Sequence, residues 1–153
     1  MTIDFAAKKT FDSRLIDAPA AQIFSVLSDA SLHPVIDGSN MVTGARGKPD
    51  RLRLGSKFSM SMKLGPLPYR ITNEVVEFEQ DRLIAWRHPG KHRWRYELEE
   101  VDGGTMVTET FDWSYSVAPK AIELVGYPHK HDKSIAGTLA RLDDYVMKTA
   151  QPL

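Results

Sequence analysis

Glu109 is the carboxylate whose position carries most chemical information. In the run Thr105 to Trp113 it falls in phase with Val107, Phe111 and Trp113, so strand alternation puts it on their apolar face. A carboxyl held among apolar side chains has its pKa raised by desolvation. It can then give or take a proton, or bind a ligand hydroxyl. The competing reading is a strand that bulges or reaches the sheet edge and leaves Glu109 in water. Asn73 shares the alternation of Tyr69 and Ile71. Its amide could hydrogen-bond a carbonyl-bearing ligand, or it could be an ordinary satisfied polar residue beside a bulge. Tyr69 and Tyr96 could offer phenolic donors, although tyrosines at such positions often contribute apolar area with the hydroxyl at the edge. Met60 and Met62 suit either an adaptable cavity lining or plain core.

Other chemistries are excluded. The chain has no cysteine, which removes disulfides, thiolate metal sites and a cysteine nucleophile. The two histidine clusters, His88 with His92 and His129-Lys130-His131-Asp132, adjoin Pro89-Gly90 and Pro128 and match no zinc pattern such as His-Glu-x-x-His. Turn-like surroundings place both in solvated loops. No Gly-x-Ser-x-Gly elbow and no Gly-x-Gly-x-x-Gly occurs, and Gly44-Ala45-Arg46-Gly47-Lys48 lacks the spacing and the following Ser or Thr of a phosphate loop. No metal and no cofactor is expected. Lys plus Arg is 20 and Asp plus Glu is 20, so the formal net charge is zero. Binding to nucleic acid or to an anionic membrane through bulk charge would need a basic excess.

Turns and periodicity define the elements that must hold these residues. Phe11, Leu15 and Ile16 read as a strand. Asp17-Ala18-Pro19 starts a helix carrying Ile23, Phe24, Val26 and Leu27 on one face. A second short helix runs from about Asp29 to Ile36, and Asp37-Gly38-Ser39-Asn40 is turn chemistry. Phe58, Met60, Met62 and Leu64 alternate with polar residues, and Gly65-Pro66-Leu67-Pro68 turns the chain. After Tyr69, Ile71 and Asn73 the apolar phase slips at Val75-Val76, which predicts a bulge. Leu83 to Trp86 follows. His92, Trp94, Tyr96 and Leu98 then alternate with Arg93, Arg95, Glu97 and Glu99, and Asp102-Gly103-Gly104 makes a hairpin. Ile122, Leu124, Val125 and Tyr127 form a short apolar segment that could be a lid over 118–128 or an ordinary connecting helix. Ile135, Leu139, Leu142 and Val146 then give one apolar helical stripe. From His131 to Lys148 that helix spans roughly 27 Å, close to the roughly 30 Å of a nine-residue strand.

Strand following strand through short turns means an antiparallel meander. The expected architecture is α+β: a curved antiparallel sheet of six to seven strands wrapped on a long C-terminal helix, with two short helices after the first strand, all in one domain over 1–153. A helix about 10 Å wide cannot fill the concave face of such a sheet. The inward residues favour a cavity, because aromatic side chains are mixed with a few polar ones. Its expected ligand-binding walls are Phe58, Met60, Tyr69, Ile71, Asn73, Trp86, Trp94, Tyr96, Phe111 and Trp113, with Glu109 as the candidate catalytic group.

Leu15-Ile16-Asp17-Ala18-Pro19-Ala20-Ala21-Gln22-Ile23-Phe24-Ser25-Val26-Leu27-Ser28-Asp29 resembles the opening of the SRPBCC superfamily, the START and birch-pollen-allergen-like helix-grip fold. The resemblance continues in Leu54-Gly55-Ser56-Lys57-Phe58, in Leu83-Ile84-Ala85-Trp86-Arg87, in Tyr96-Glu97-Leu98 followed by Gly103 to Glu109, and in Leu139-Ala140-Arg141-Leu142. Within the superfamily the chain is most similar to the bacterial polyketide cyclase/dehydrase-type branch. That resemblance implies the helix-grip fold. Three functions stay open under it: a binder of a hydrophobic or aromatic small molecule (polyketide, lipid or sterol-like), a polyketide cyclase or dehydratase using Glu109 for proton transfer, and an interaction module similar to chaperone activators. The last would have a filled interior and an exposed apolar patch. The N-terminal residues lack the pattern of a signal peptide, and no apolar run reaches the ~18 residues of a membrane span. A cytoplasmic monomer or homodimer, with a hydrophobic small-molecule ligand and no nucleic-acid partner, is the expectation.

Overall fold

The computed structural model describes residues 2–47 and 50–149. Its strands are β1 (Thr2–Asp4), β2 (Lys9–Ile16), β3 (Val42–Ala45), β4 (Lys57–Leu64), β5 (Leu67–Glu79), β6 (Leu83–Arg87), β7 (Arg93–Val101) and β8 (Gly104–Asp112). The helices are α1 (Ala20–Leu27), α2 (His33–Ile36), α3 (Pro119–Leu124) and α4 (Tyr127–Thr149). All strands join one antiparallel sheet in the order β1-β2-β8-β7-β6-β5-β4-β3. The sheet thus has eight strands rather than the expected six to seven. The additional two, β1 and β3, are outer strands of three and four residues. That is too short for a period of two to register in sequence.

The bulge falls where the phase slips. Val75 pairs with Trp86, but Glu77, not Val76, is the next paired residue, opposite Ala85. The extra residue turns Phe78 inward, and its ring meets Phe24 of α1 edge-on at 5.5 Å. Gly104 turns the chain from β7 into β8 with φ +139°, and a Cβ there would collide with the Ile16 carbonyl of β2. Only glycine permits both that conformation and that approach. The outer face carries the charges set by alternation: Arg95 bonds Glu77 at 3.2 Å and Glu97 at 2.7 Å, and Arg93 reaches Glu77 at 3.2 Å.

The long helix begins at Tyr127, four residues before the His131 expected from the apolar stripe. Pro128 lies in its first turn, where no backbone N–H is needed, so the proline does not break it. α4 packs across β2 and β8 and buries Ile135, Leu139, Leu142 and Val146. It also packs against the turn after α2. Gly38 lies against α4 so closely that a Cβ would strike the Ser134 carbonyl and the Thr138 nitrogen. The Gly38 N–H donates to Thr138 Oγ1 at 2.9 Å, and Arg141 donates to the Asp37 carbonyl. The helix is therefore pinned to one side of the concave face, and β4 to β7 are not fully covered.

Candidate functional site

A cavity of about 190 Å³ lies between the uncovered strands, the N-terminal half of α4 and the α2 segment. The sequence-predicted residues Phe58, Met60, Tyr69, Ile71, Asn73, Trp86, Trp94, Tyr96 and Glu109 all face it. They come from β4 to β8, each at an inward alternation position. Trp86 sits at the centre of the aromatic wall, 5.5 Å from the rings of both Phe58 and Tyr96. Phe111 and Trp113 do not reach the cavity surface. They share the face of Glu109, but other groups cover them. His131 of α4 lies on Phe111 at 4.4 Å, and Trp94 packs on the same ring at 5.0 Å. Trp113 is completely buried, and its indole N–H donates to Glu123 Oε1 at 3.0 Å. Both rings are structural backing for the wall.

Glu109 is enclosed, with 2% of its surface exposed. The bulge or edge reading is thereby excluded. β7 places Tyr96 directly opposite, and the Tyr96 hydroxyl donates to Glu109 Oε2 at 2.9 Å. Oε1 is buried and has no hydrogen-bond partner among the described residues. Burial pushes the Glu109 carboxyl well above the usual carboxylate range; the Tyr96 hydrogen bond opposes this, and the charges of Asp37 and Asp12 add to it. The Tyr96 phenol is also raised, first by burial and then by Glu109. Both shifts favour the uncharged forms, and a carboxyl beside a phenol makes a donor–acceptor pair at the edge of an apolar hollow. Asn73, 4% exposed, presents an unpartnered Oδ1.

The histidines correct the sequence reading most. His88, His92 and His131 all line the cavity; only His129 is on the exposed surface. His88 and His92 flank the β6–β7 turn. Their rings stack at 4.5 Å, and the backbone N–H of His88 donates to the His92 carbonyl at 2.9 Å. Burial lowers His88 and His131 to about 4 and His92 to about 3. Two signals in the sequence pointed inward. His92 is in phase with Trp94 and Tyr96, and His131 lies four residues before Ile135 on the apolar stripe of α4. Turn residues nearby masked both. His33 also lines the cavity. It bonds the Leu27 carbonyl at 2.9 Å through Nε2 and stacks on Trp86 at 4.7 Å. Burial lowers its pKa.

Among the described residues, no group of three or more His, Asp or Glu side chains could hold a metal ion, and no helix is long and apolar enough to cross a membrane.

A curved antiparallel sheet gripping one long helix, with a hollow between them, defines the helix-grip class. The family model described as polyketide cyclase / dehydrase and lipid transport matches residues 9–146, and the chain belongs to that family, within the SRPBCC superfamily. The uncharacterised protein Rv0088 of Mycobacterium tuberculosis is 42% identical over 134 residues, which are 84% of this chain and 60% of that relative. The chain thus spans about 60% of the curated relatives' length. Among solved structures, Ms6760 from Mycobacterium smegmatis superposes with a TM-score of 0.72 at 15% identity, covering 97% of this chain and 96% of that one. The AHSA1-like protein from Aeromonas hydrophila superposes with a TM-score of 0.63 at 20% identity, covering 93% and 94%.

Proposed function

We propose that the chain binds a hydrophobic or aromatic small molecule in the cavity, as a carrier or receptor acting in the cytoplasm. The observation that carries this reading is an apolar hollow with aromatic walls whose lining residues include several with a buried polar atom that has no partner among the described residues. That is the usual make-up of a small-molecule site. The volume narrows the occupant. About 190 Å³ is the share of roughly six liquid waters, below the ~300–1,000 Å³ of drug-sized sites. One or two rings, or a short chain, suit the walls as they stand. A sterol or a folded polyketide would need them to part. The family description, with its lipid-transport branch, supports the carrier reading. A hollow interior weighs against the interaction module, which would be filled.

The Tyr96–Glu109 pair favours an enzymatic second reading, cyclisation or dehydration of a carbonyl compound. The walls would orient the substrate, and the protonated carboxyl would supply modest acid–base help. Native mass spectrometry of gently purified protein tests the main proposal. A retained small molecule, released on denaturation, supports it. Unloaded protein that also ignores a set of neutral one- and two-ring aromatics at millimolar concentration would sink it. For the second reading, Glu109→Gln should abolish turnover while binding persists.

A further inference from the structure

We propose that His88, His92 and His131 form the hydrogen-bonding end of the cavity and select a neutral, hydroxyl-bearing aromatic of one or two rings, a phenol or naphthol whose O–H is held between imidazole nitrogens. This rests on the cavity being a ligand site and adds what kind of ligand it takes.

The three rings arrive from two places, the β6–β7 turn and α4, and are fixed there. The turn that carries His88 and His92 is closed by the Lys91 N–H donating to the His88 carbonyl at 2.8 Å. It is tied to the segment before α3 by the Val117 N–H, which donates to the Gly90 carbonyl at 3.2 Å. His92 meets Phe111 edge-on at 5.3 Å, while His131 is held by Trp94 at 4.9 Å and Tyr127 at 5.3 Å. Aromatic packing thus accounts for where the rings lie but leaves their nitrogens unused. None of the three imidazoles hydrogen-bonds another described residue, and Nδ1 of both His92 and His131 is buried and unpartnered. Buried polar atoms are nearly always paired, because an unpaired one forfeits its hydration for nothing. Phenylalanine would fill the same space without that loss. Three imidazoles that line one cavity with no hydrogen bond to a described residue are explained by a ligand group that pairs with them.

The charge pattern says which group. Among the described residues the lining contains two carboxyl residues, Asp37 and Glu109, and no Lys or Arg. The Asp37 carboxylate is engaged by the backbone N–H groups of Ser39 at 3.0 Å and Val42 at 2.9 Å. An anionic ligand would meet no Lys or Arg among these described lining residues. Burial keeps the imidazoles neutral near pH 7, so each offers one N–H and one bare nitrogen. A hydroxyl donates and accepts, and so matches two such rings at once. A carboxylate only accepts; it could take the imidazole N–H groups but leaves the bare nitrogens unused and meets no positive charge to offset its burial. The aromatic body would lie against Trp86 and Trp94.

The test uses 2-naphthol, naphthalene and 2-naphthoate as probes, titrated by NMR near pH 7.5 into the wild-type chain and into His92→Phe and His131→Phe. Phenylalanine preserves the ring packing, and thermal melts check folding. The expected result is that wild type binds naphthol at least tenfold tighter than naphthalene. Naphthoate should be the weakest, and the naphthol preference should fall to within threefold in either variant. Imidazole nitrogen resonances of the wild type, which need no variant, should shift with naphthol and not with naphthalene. If naphthalene binds as well as naphthol, the histidine assignment is overturned while the cavity reading stands. Tightest binding by naphthoate would also overturn it, in favour of an anion site. If no probe disturbs a cavity resonance, both readings fall.

Discussion

Replacing Glu109 with glutamine should make the chain more stable, by an amount that grows with pH. The side chain is 2% exposed, and burial is the main cause of its raised pKa. In the unfolded chain the carboxyl ionises around its ordinary value of 4.5. Above that pH the unfolded state has released a proton that the folded state still holds. Fewer protons bound in the unfolded state means stability falls as pH rises, until the folded carboxyl itself ionises. Each pH unit in that window costs about 1.4 kcal/mol. Glutamine has the same shape, cannot ionise, and its carbonyl can accept the Tyr96 hydroxyl that now bonds Glu109 at 2.9 Å. Every other titration is common to both proteins and cancels in the difference. The assay is urea unfolding of wild type and Glu109→Gln, followed by tryptophan fluorescence at half-unit steps from pH 5 to 7.5. Between pH 4.5 and the pH at which the folded carboxyl itself ionises, the gap should widen by about 1.4 kcal/mol per pH unit, or roughly 3–6 °C in Tm for a chain of this size. Parallel stability curves would mean that Glu109 is already ionised in the fold. The neutral-pair description of the site would then be wrong.

The histidines should act with the opposite sign. Their folded values of about 4, 3 and 4 lie below the ordinary 6.5, so between about pH 4 and 6.5 the unfolded chain binds protons that the folded chain refuses, and stability falls on acidification. His131→Phe should reduce the slope of stability against pH near pH 5 by about 1.4 kcal/mol per unit, roughly one proton; an unchanged slope would place His131 in water. Gly38→Ala should destabilise the fold by about 1–3 kcal/mol as an overpacking change, because its Cβ would strike the backbone of α4 at Ser134 and Thr138; wild-type stability in urea would show that the α2–α4 contact gives way freely. A bound neutral aromatic should slow amide exchange across 118–128, where Ile122 is buried, Glu123 holds Trp113 and Tyr127 lines the cavity. Unchanged exchange at saturation would reject a closing role for this segment.

What could be read from the sequence follows from what alternation encodes. A period of two says which face a residue takes, so β7 with Trp94 and Tyr96, β5 with Asn73 and its bulge, and Glu109 on β8 were all legible. It does not say which element covers that face. Phe111 and Trp113 were expected at the cavity because they share the face of Glu109, yet α4 and α3 cover them. The histidines failed for the reverse reason. Pro89-Gly90 and Pro128 are turn-formers, but one turn closes directly onto the cavity and the other proline starts a helix rather than ending one. His33, on a helix of four residues, carried no periodic signal at all. The Gly38 approach to α4 is a contact across 100 residues of chain that no local pattern reports.

Methyl-resolved NMR on the isotope-labelled wild-type chain tests the cavity itself most directly. With a panel of neutral one- and two-ring aromatics, the binding members should shift the Met60, Met62 and Ile71 methyls, which line the hollow, and leave the exposed Leu64 and Leu67 at the β4–β5 turn unchanged. Shifts confined to Leu64, Leu67 and other surface methyls, or no shift at millimolar ligand, would contradict an internal small-molecule site.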